Sequence, residues 1–276
     1  MEFEALAKII NELAPNFMER QSPSFPPLEP KWQVHKIGVT VDPTPENLRQ
    51  AEQCGINLLF TYHPWTGEPS KAVASGRLRI LALHHAWNLA PQGIIPELAN
   101  ALALTDLNER QQLVFGTTDT LLRNLIETCQ RSLEITVVPY SGELRAPVKQ
   151  VAIWLGAGFL PHHRELWETC IANGCDTLLS GELTLAALRF GVNHNLKMVD
   201  LGHSAVARMG MKRFAQILSD RLQADCPVER LDGYYACNYF TNYSITDMYS
   251  AALNEDFPGG DSEETLSLFS LFDKME

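Results

Sequence analysis

Two stretches decide the fold: Ile37-Gly38-Val39-Thr40-Val41-Asp42-Pro43-Thr44-Pro45-Glu46 and, further on, Ile56-Asn57-Leu58-Leu59-Phe60-Thr61-Tyr62-His63-Pro64. The first is an apolar run that stops at Asp42, as a strand does. Thr44 then fits a helix N-cap, with Pro45 at the first helical position and Glu46 in the first turn. Leu48, Ala51 and Cys54 continue the helix, and Gly55 ends it as a C′ glycine. The second stretch is again an apolar run that halts at a polar cluster, where Pro64 bars regular structure. Strand, helix and strand in this order make a βαβ unit, which implies a parallel sheet. In open α/β sheets ligands bind beyond the carboxyl ends of the strands, so His63 is placed where chemistry is expected.

Working outward, residues 77–83 read as a third strand, ending at His84-His85. Residues 96–104 carry Leu98, Leu102 and Leu104 in a helical pattern, and residues 119–131 do the same with Leu121, Leu122, Leu125 and Ile126. Upstream, residues 5–13 place Leu6, Ile9, Ile10 and Leu13 on one helical face. A proline-rich surface connection follows over residues 15–30. A second α/β half begins with a strand at 151–155, leading into Gly156-Ala157-Gly158. Residues 164–173 are helical up to Gly174, and Thr177-Leu178-Leu179 is a strand ending at Ser180-Gly181-Glu182. Residues 183–190 are helical up to Gly191, residues 197–201 form a strand ending at Gly202-His203-Ser204, and residues 205–222 form a long helix. The run from Cys54 to Thr61 echoes that from Asn173 to Ser180, each a helix-ending glycine followed by a short strand and a polar break. The expectation is an α/β protein of two similar domains, 1–115 and 116–233, with mostly parallel sheets, followed by an acidic, aromatic-containing extension over 234–276.

Composition narrows the class. At 276 residues, 45% hydrophobic and 20% charged, the chain suits a two-domain soluble protein with a full core. The net charge of −11 argues against a general binder of nucleic acid or of anionic membranes, since both call for a basic footprint. Residues 234–276 hold eight acids against the single base Lys274, so seven of those eleven charges lie there and four in the rest. The six cysteines form no C-x-x-C pair and read as reduced thiols. The acidic start Met1-Glu2-Phe3-Glu4 is unlike a signal peptide, and the longest apolar run, 151–160, is far short of the roughly 20 residues of a membrane span. A cytoplasmic location is expected.

His63, His84, His85 and His203 all fall where an apolar strand gives way to a loop. On one edge of a parallel sheet they could converge, and neutral imidazole is the commonest metal-binding side chain. Each could equally be a hydrogen-bonded histidine at a strand end. Asp42 and Glu182 are the strand-end carboxylates available to such a site, with Asp200 just inside the last strand. Gly156-Ala157-Gly158 resembles a phosphate-cradling turn, but the third position of a dinucleotide fingerprint falls on Pro161, so a tight turn without ligand is the better reading. His162-His163 reads as a solvated pair, and Cys170 and Cys175 as buried thiols. No G-x-S-x-G or H-E-x-x-H stretch is present.

Over residues 37–232 the chain resembles the Nif-three-like family (NGG-interacting factor three-like proteins, homologues of GTP cyclohydrolase type two). The resemblance rests on Val41-Asp42-Pro43-Thr44 with Thr61-Tyr62-His63-Pro64, on the stretch from His84 to Gly93, on the stretch from Gly174 to Glu182, and on the stretch from Gly202 to Ala207. It implies two α/β domains facing a central cleft, a ring-shaped homohexamer, and a pair of divalent metals in that cleft. Of the ligands it implies, only His63 and His203 are retained. Tyr62, Asn88 and Ala207 stand at the other positions, and His84 matches a histidine beside the site. Without the family's carboxylates, a two-metal site is not expected. Two states stay open: one divalent ion (Zn, Fe, Mn or Ni) on His63, His203 and His84, or none. Two functions follow. One is a ring-forming binding or scaffold protein for a small-molecule ligand with reduced or lost metal chemistry, which the substitutions favour. The other is a divalent-metal-dependent hydrolase of a nucleotide-like or phosphorylated small molecule. The extension over 234–276 lies outside the resemblance and is expected to dock on the body or on a neighbouring subunit.

Overall fold

The computed structural model describes residues 1–15, 17, 28–67, 70–110 and 112–233, with the backbone alone at His85. By its contacts the chain divides into units 1–235 and 236–276, and all described residues belong to the first. The acidic extension and most of the proline-rich segment therefore lie outside the described residues.

The βαβ unit forms as its residues dictate. Strand β1 (Ile37–Thr40) leads to helix α2 (Pro45–Gln53), and β2 (Leu58–Thr61) follows; helix α1 (Phe3–Leu13) precedes them. The Thr44 side chain accepts the Asn47 N–H at 3.1 Å, and Gly55 takes φ +69° after the helix. Helix α3 (Lys71–Ala74) and strand β3 (Arg79–Ala82) follow, and β1, β2 and β3 pair in parallel. The histidine pair expected at the end of the third strand instead begins helix α4 (His84–Asn88); α5 (Ile94–Ala101) comes next.

The second sheet is mixed. Antiparallel β4 (Thr105–Arg110) and β5 (Leu113–Leu121) join β6 (Pro147–Ile153), which pairs in parallel with β7 (Thr177–Ser180), and β7 with β8 (Lys197–Asp200). Helix α6 (Leu122–Leu133) follows β5. Helices α7 (Arg164–Ala172) and α8 (Leu185–His194) alternate with the parallel strands. After the long helix α9 (His203–Leu222), strand β9 (Val228–Arg230) returns to pair in parallel with β1. The sheet orders are β3-β2-β1-β9 and β4-β5-β6-β7-β8. Position 115/116, where two domains were expected to divide, falls inside β5. Residues 119–121, expected as helix, are the end of that strand, with Leu121 paired to Pro147.

Successive strand residues point to opposite faces, and burial sorts them accordingly. Leu58 and Phe60 of β2, Val151 and Ile153 of β6, Leu179 of β7 and Val199 of β8 share one continuous core with helices α1, α4, α5, α6 and α9. Leu59 turns the other way, onto Leu48 and Ala51 of α2. Ala152, Leu178 and Met198 turn outward onto Trp167 of α7 and Ala187 of α8. Helix α9 lies against α5 so closely that a Cβ at Gly210 would meet Ile94 at 2.2 Å. The indole N–H of Trp87 donates to the Gly210 carbonyl at 2.8 Å there.

Asp176 ties three strands of the second sheet at their amino ends. Its carboxylate accepts the backbone N–H of Lys149 at 2.8 Å and of Gln150 at 3.1 Å, and pairs with Lys197 at 3.2 Å. Burial opposes ionisation there, but the hydroxyl of Thr177, the two N–H groups and Lys197 outweigh it and hold the carboxyl below its usual range. Asp176→Asn is expected to lower stability by about 1–3 kcal/mol, read as a lower denaturant midpoint at unchanged slope; an unchanged midpoint would refute the role.

Candidate metal centre

Three loops bring the histidines together. His63 follows β2, His84 opens α4 just after β3, and His203 opens α9 just after β8. The first sheet thus supplies two of them and the second sheet the third. One ring nitrogen from each lies within 4.8 Å of the others, and all three residues are half-buried. His84 sits at φ +29° in the left-handed region, a strained placement for a side chain of this size and of the kind that clusters at functional sites.

The carboxylates complete the arrangement. Asp42 Oδ1 lies 2.7 Å from His63 Nδ1, and Glu182 Oε1 lies 3.2 Å from His203 Nδ1. A carboxylate can only accept, so in each pair Nδ1 carries the proton and Nε2 is left with its lone pair. Those two Nε2 atoms face each other at 3.0 Å. Two lone pairs at that distance repel unless a proton or a metal cation lies between them. Carboxylate–imidazole pairs of this type fix the tautomer and raise the basicity of metal-binding histidines.

The carboxylates are themselves held. The Asp42 carbonyl accepts the Asn47 side-chain N–H at 2.7 Å. Asp200 is buried, and its two oxygens accept the N–H of Leu183 at 2.7 Å and of Gly202 at 2.8 Å. It therefore pins the turn that carries Glu182 to the turn that delivers His203. Both turns use left-handed backbone, with φ +64° at Glu182 and +71° at Gly202. Gly181 has no room for a side chain, since a Cβ would meet the Gly156 carbonyl at 2.8 Å.

Tyr62, Asn88 and Ala207 are buried beside the histidines. The Tyr62 hydroxyl donates to Asn88 Oδ1 at 3.0 Å. Burial pushes that hydroxyl up to about 12, with the bond to Asn88 pulling the other way, so the phenol is neutral at pH 7. Ala207 sits one turn of α9 beyond His203 and offers no ligand atom.

The other candidates do not join this group. The N–H of Gly158 donates to Ser180 Oγ at 3.1 Å, and its carbonyl accepts from Trp167 at 2.7 Å, so the glycine turn is a packing device. The rings of His162 and His163 lie 4.1 Å apart and tilted at 49°, with His163 also against Trp154. Cys54, Cys129, Cys170, Cys175 and Cys226 are free thiols. Among the described residues no helix is long and apolar enough to cross a membrane.

His203 is held below its usual value of 6.5. Burial is the largest cause; the bond to Glu182 opposes it and the neighbouring His63 adds to it. The unfolded chain therefore takes up this proton at a higher pH than the native one. Stability from this group is complete above 6.5 and is lost as pH falls through the lower native value. The metal-free protein is expected to lose denaturant stability as pH falls below 6.5, and His203→Gln to flatten that dependence. A variant with the wild-type slope would exclude His203 as the source.

Comparison with known proteins gives the family and the fold. The family model described as Duf34/NIF3 (NGG1p interacting factor 3) matches residues 1–232. A protein of Methanothermobacter thermautotrophicus named GTP cyclohydrolase 1 type 2 homolog is 25% identical over 225 residues, spanning 80% of this chain and 89% of its own. Its namesake in Methanocaldococcus jannaschii is 24% identical over 212 residues, spanning 70% and 83%. Among solved structures, reduced HcgD from Methanocaldococcus jannaschii superposes with a TM-score of 0.71 at 20% identity, covering 84% of this chain and 98% of its own. Staphylococcus aureus protein SA1388 gives 0.69 at 15% identity, covering 87% and 99%. The chain shares their fold, and it belongs to the Duf34/NIF3 family.

Proposed function

We propose that this chain holds one divalent metal ion on His63, His84 and His203 and serves hydrolytic chemistry on a small molecule. The observation that carries the reading is the 3.0 Å approach of two Nε2 atoms whose Nδ1 partners are both carboxylates. Two nitrogens bound to one ion at about 2.0–2.1 Å in tetrahedral geometry stand about 3.3 Å apart. The observed spacing differs from that by only a few tenths of an ångström. Asp42 and Glu182 also offset the charge of a divalent ion without themselves binding it.

The residues fit one ion and not the pair that the family resemblance implies. Tyr62 is neutral and committed to Asn88, and Ala207 cannot coordinate. His63, His84 and His203 would hold the ion, which would supply Lewis acidity and lower the pKa of water. The chain's own part is to hold His63 and His203 as Nδ1–H tautomers aimed at one point. Family membership supports a cytoplasmic ring-shaped homohexamer as the working assembly, and the net charge of −11 speaks against nucleic acid as its partner.

A second reading is a metal-free binding or scaffold protein. A proton shared between the two Nε2 atoms would satisfy the same geometry, and Tyr62 and Asn88, at positions where the resemblance implies metal ligands, are bonded to each other instead.

Metal content separates the two readings. Stripped protein titrated with Zn, Mn, Fe and Ni is expected to take up close to one ion per chain, with affinity falling on acidification as the imidazoles protonate. His63→Ala and His203→Ala should abolish uptake, and Asp42→Asn should weaken it about 10–100-fold. Less than about a tenth of an ion per chain would establish the metal-free reading, and two ions would overturn the single-ion one.

A further inference from the structure

Helix α7 ends in a left-handed turn that sets two thiols side by side. The N–H of Gly174 reaches the Ile171 carbonyl at 3.0 Å, the N–H of Cys175 reaches the Cys170 carbonyl at 3.0 Å, and Gly174 takes φ +74°. A helix end closed by this pair of bonds brings one side chain of its last turn against the side chain just past the glycine, and the two are commonly apolar. Here both are cysteines, and both are free. Their thiols are hydrogen-bonded to each other; that bond, with burial, pushes the Cys170 thiol up.

The surroundings hold the turn in place and leave it open on one side. Arg110 of β4 donates to Asn173 Oδ1 at 3.0 Å, and just past Cys175 the Asp176 carboxylate accepts the N–H groups of Lys149 and Gln150. Beneath, the thiols share the outer core of the second sheet with Trp167 and Leu178. Above, Gly174 is exposed, and a Cβ there would meet nothing within 4 Å. Cys175 keeps 7% of its surface and Cys170 none, so a small oxidant meets Cys175 first. A disulfide needs Cα atoms roughly 4.4–6.8 Å apart and side chains turned toward each other. The backbone bond between Cys175 and Cys170 supplies the close approach, and the thiol contact supplies the direction.

We propose that Cys170 and Cys175 are a reversible redox pair, closing to a disulfide that fastens the end of α7 to the start of β7. The oxidant is a low-molecular-weight disulfide such as oxidised glutathione. Cys175 gives its proton to water, and its sulfur attacks one sulfur of the oxidant, whose S–S bond breaks to release one thiol. Cys170 then gives up its proton and attacks the Cys175 sulfur, forming the protein S–S bond and releasing the second thiol. The two protein thiols lose two electrons and two protons, and one oxidant disulfide gains them as two thiols. No step touches the histidine centre, so the inference stands apart from the single-metal reading.

The test equilibrates the full chain with reduced and oxidised glutathione at graded ratios, then alkylates the remaining thiols, digests with trypsin and weighs the fragments. No Lys or Arg lies between Arg164 and Arg189, so residues 165–189 leave as one fragment that carries both cysteines and no other. At oxidising ratios that fragment is expected to be lighter by two hydrogens and closed to alkylation, and dithiothreitol should restore both thiols. Cys170→Ser should trap glutathione on Cys175, since the second thiol that would displace it is gone. Oxidised wild-type protein should melt a few degrees above the reduced form, with no such shift in either Cys170→Ser or Cys175→Ser. Should a serine variant fail to fold, the wild-type fragment still decides. Two alkylatable thiols at every glutathione ratio, glutathione adducts without the internal bond, or closure only in urea-unfolded chain would overturn the proposal.

Discussion

His63 and His203 come from different sheets, and the approach of their Nε2 atoms is the constraint on which the rest of the site depends. Asp42 and Glu182 turn both rings so that lone pairs, not N–H groups, face inward. That arrangement is unfavourable for a bare protein and favourable around a cation. The supporting structure has the same sense: Asp200 locks the Glu182 and His203 turns together, and left-handed backbone at His84 and Glu182 is held in place by the packing beneath it. Strain of this sort, roughly 1–3 kcal/mol per residue, persists where the surroundings over-determine it.

The fold makes this meeting possible through helix α9. Its amino end carries His203 from the second sheet, its middle packs on α5 through Gly210, and its carboxyl end returns the chain to β9 in the first sheet. One core shared by both sheets keeps the three histidine loops at a fixed separation. Tyr62 shows how the same strand end can keep its position in the fold while changing its chemistry. Its ring is buried next to His63, and its hydroxyl is spent on Asn88.

Much of this was legible in the sequence. Thr44, Pro45 and Gly55 mark helix α2 because capping chemistry is local. His63, His84 and His203 could be named together because each follows a strand end, although the single sheet edge expected for them is in fact two sheets, with His203 coming from the second. The pairing of Asp42 with His63 and of Glu182 with His203 was not legible, since it depends on distances between loops far apart in sequence. The β4–β5 hairpin escaped because every residue of β4 is exposed, so no alternation marks it. Leu121 fits the helical spacing of Leu122 and Leu125, yet it ends a strand. Strand β9 is only Val228–Arg230, too short to signal itself, and its register against β1 is set by the fold between them. Asp200 gave no sign of its role because its partners are backbone N–H groups.

The most direct measurement is X-ray absorption on zinc-loaded protein. A single-ion centre predicts imidazole nitrogens at about 2.0–2.1 Å with multiple-scattering features from three rings and no metal–metal vector. Those ring features should shrink in His203→Ala. A metal–metal distance near 3.5–4 Å would contradict the account, because it would mean that two ions share a site that Tyr62, Asn88 and Ala207 were taken to close.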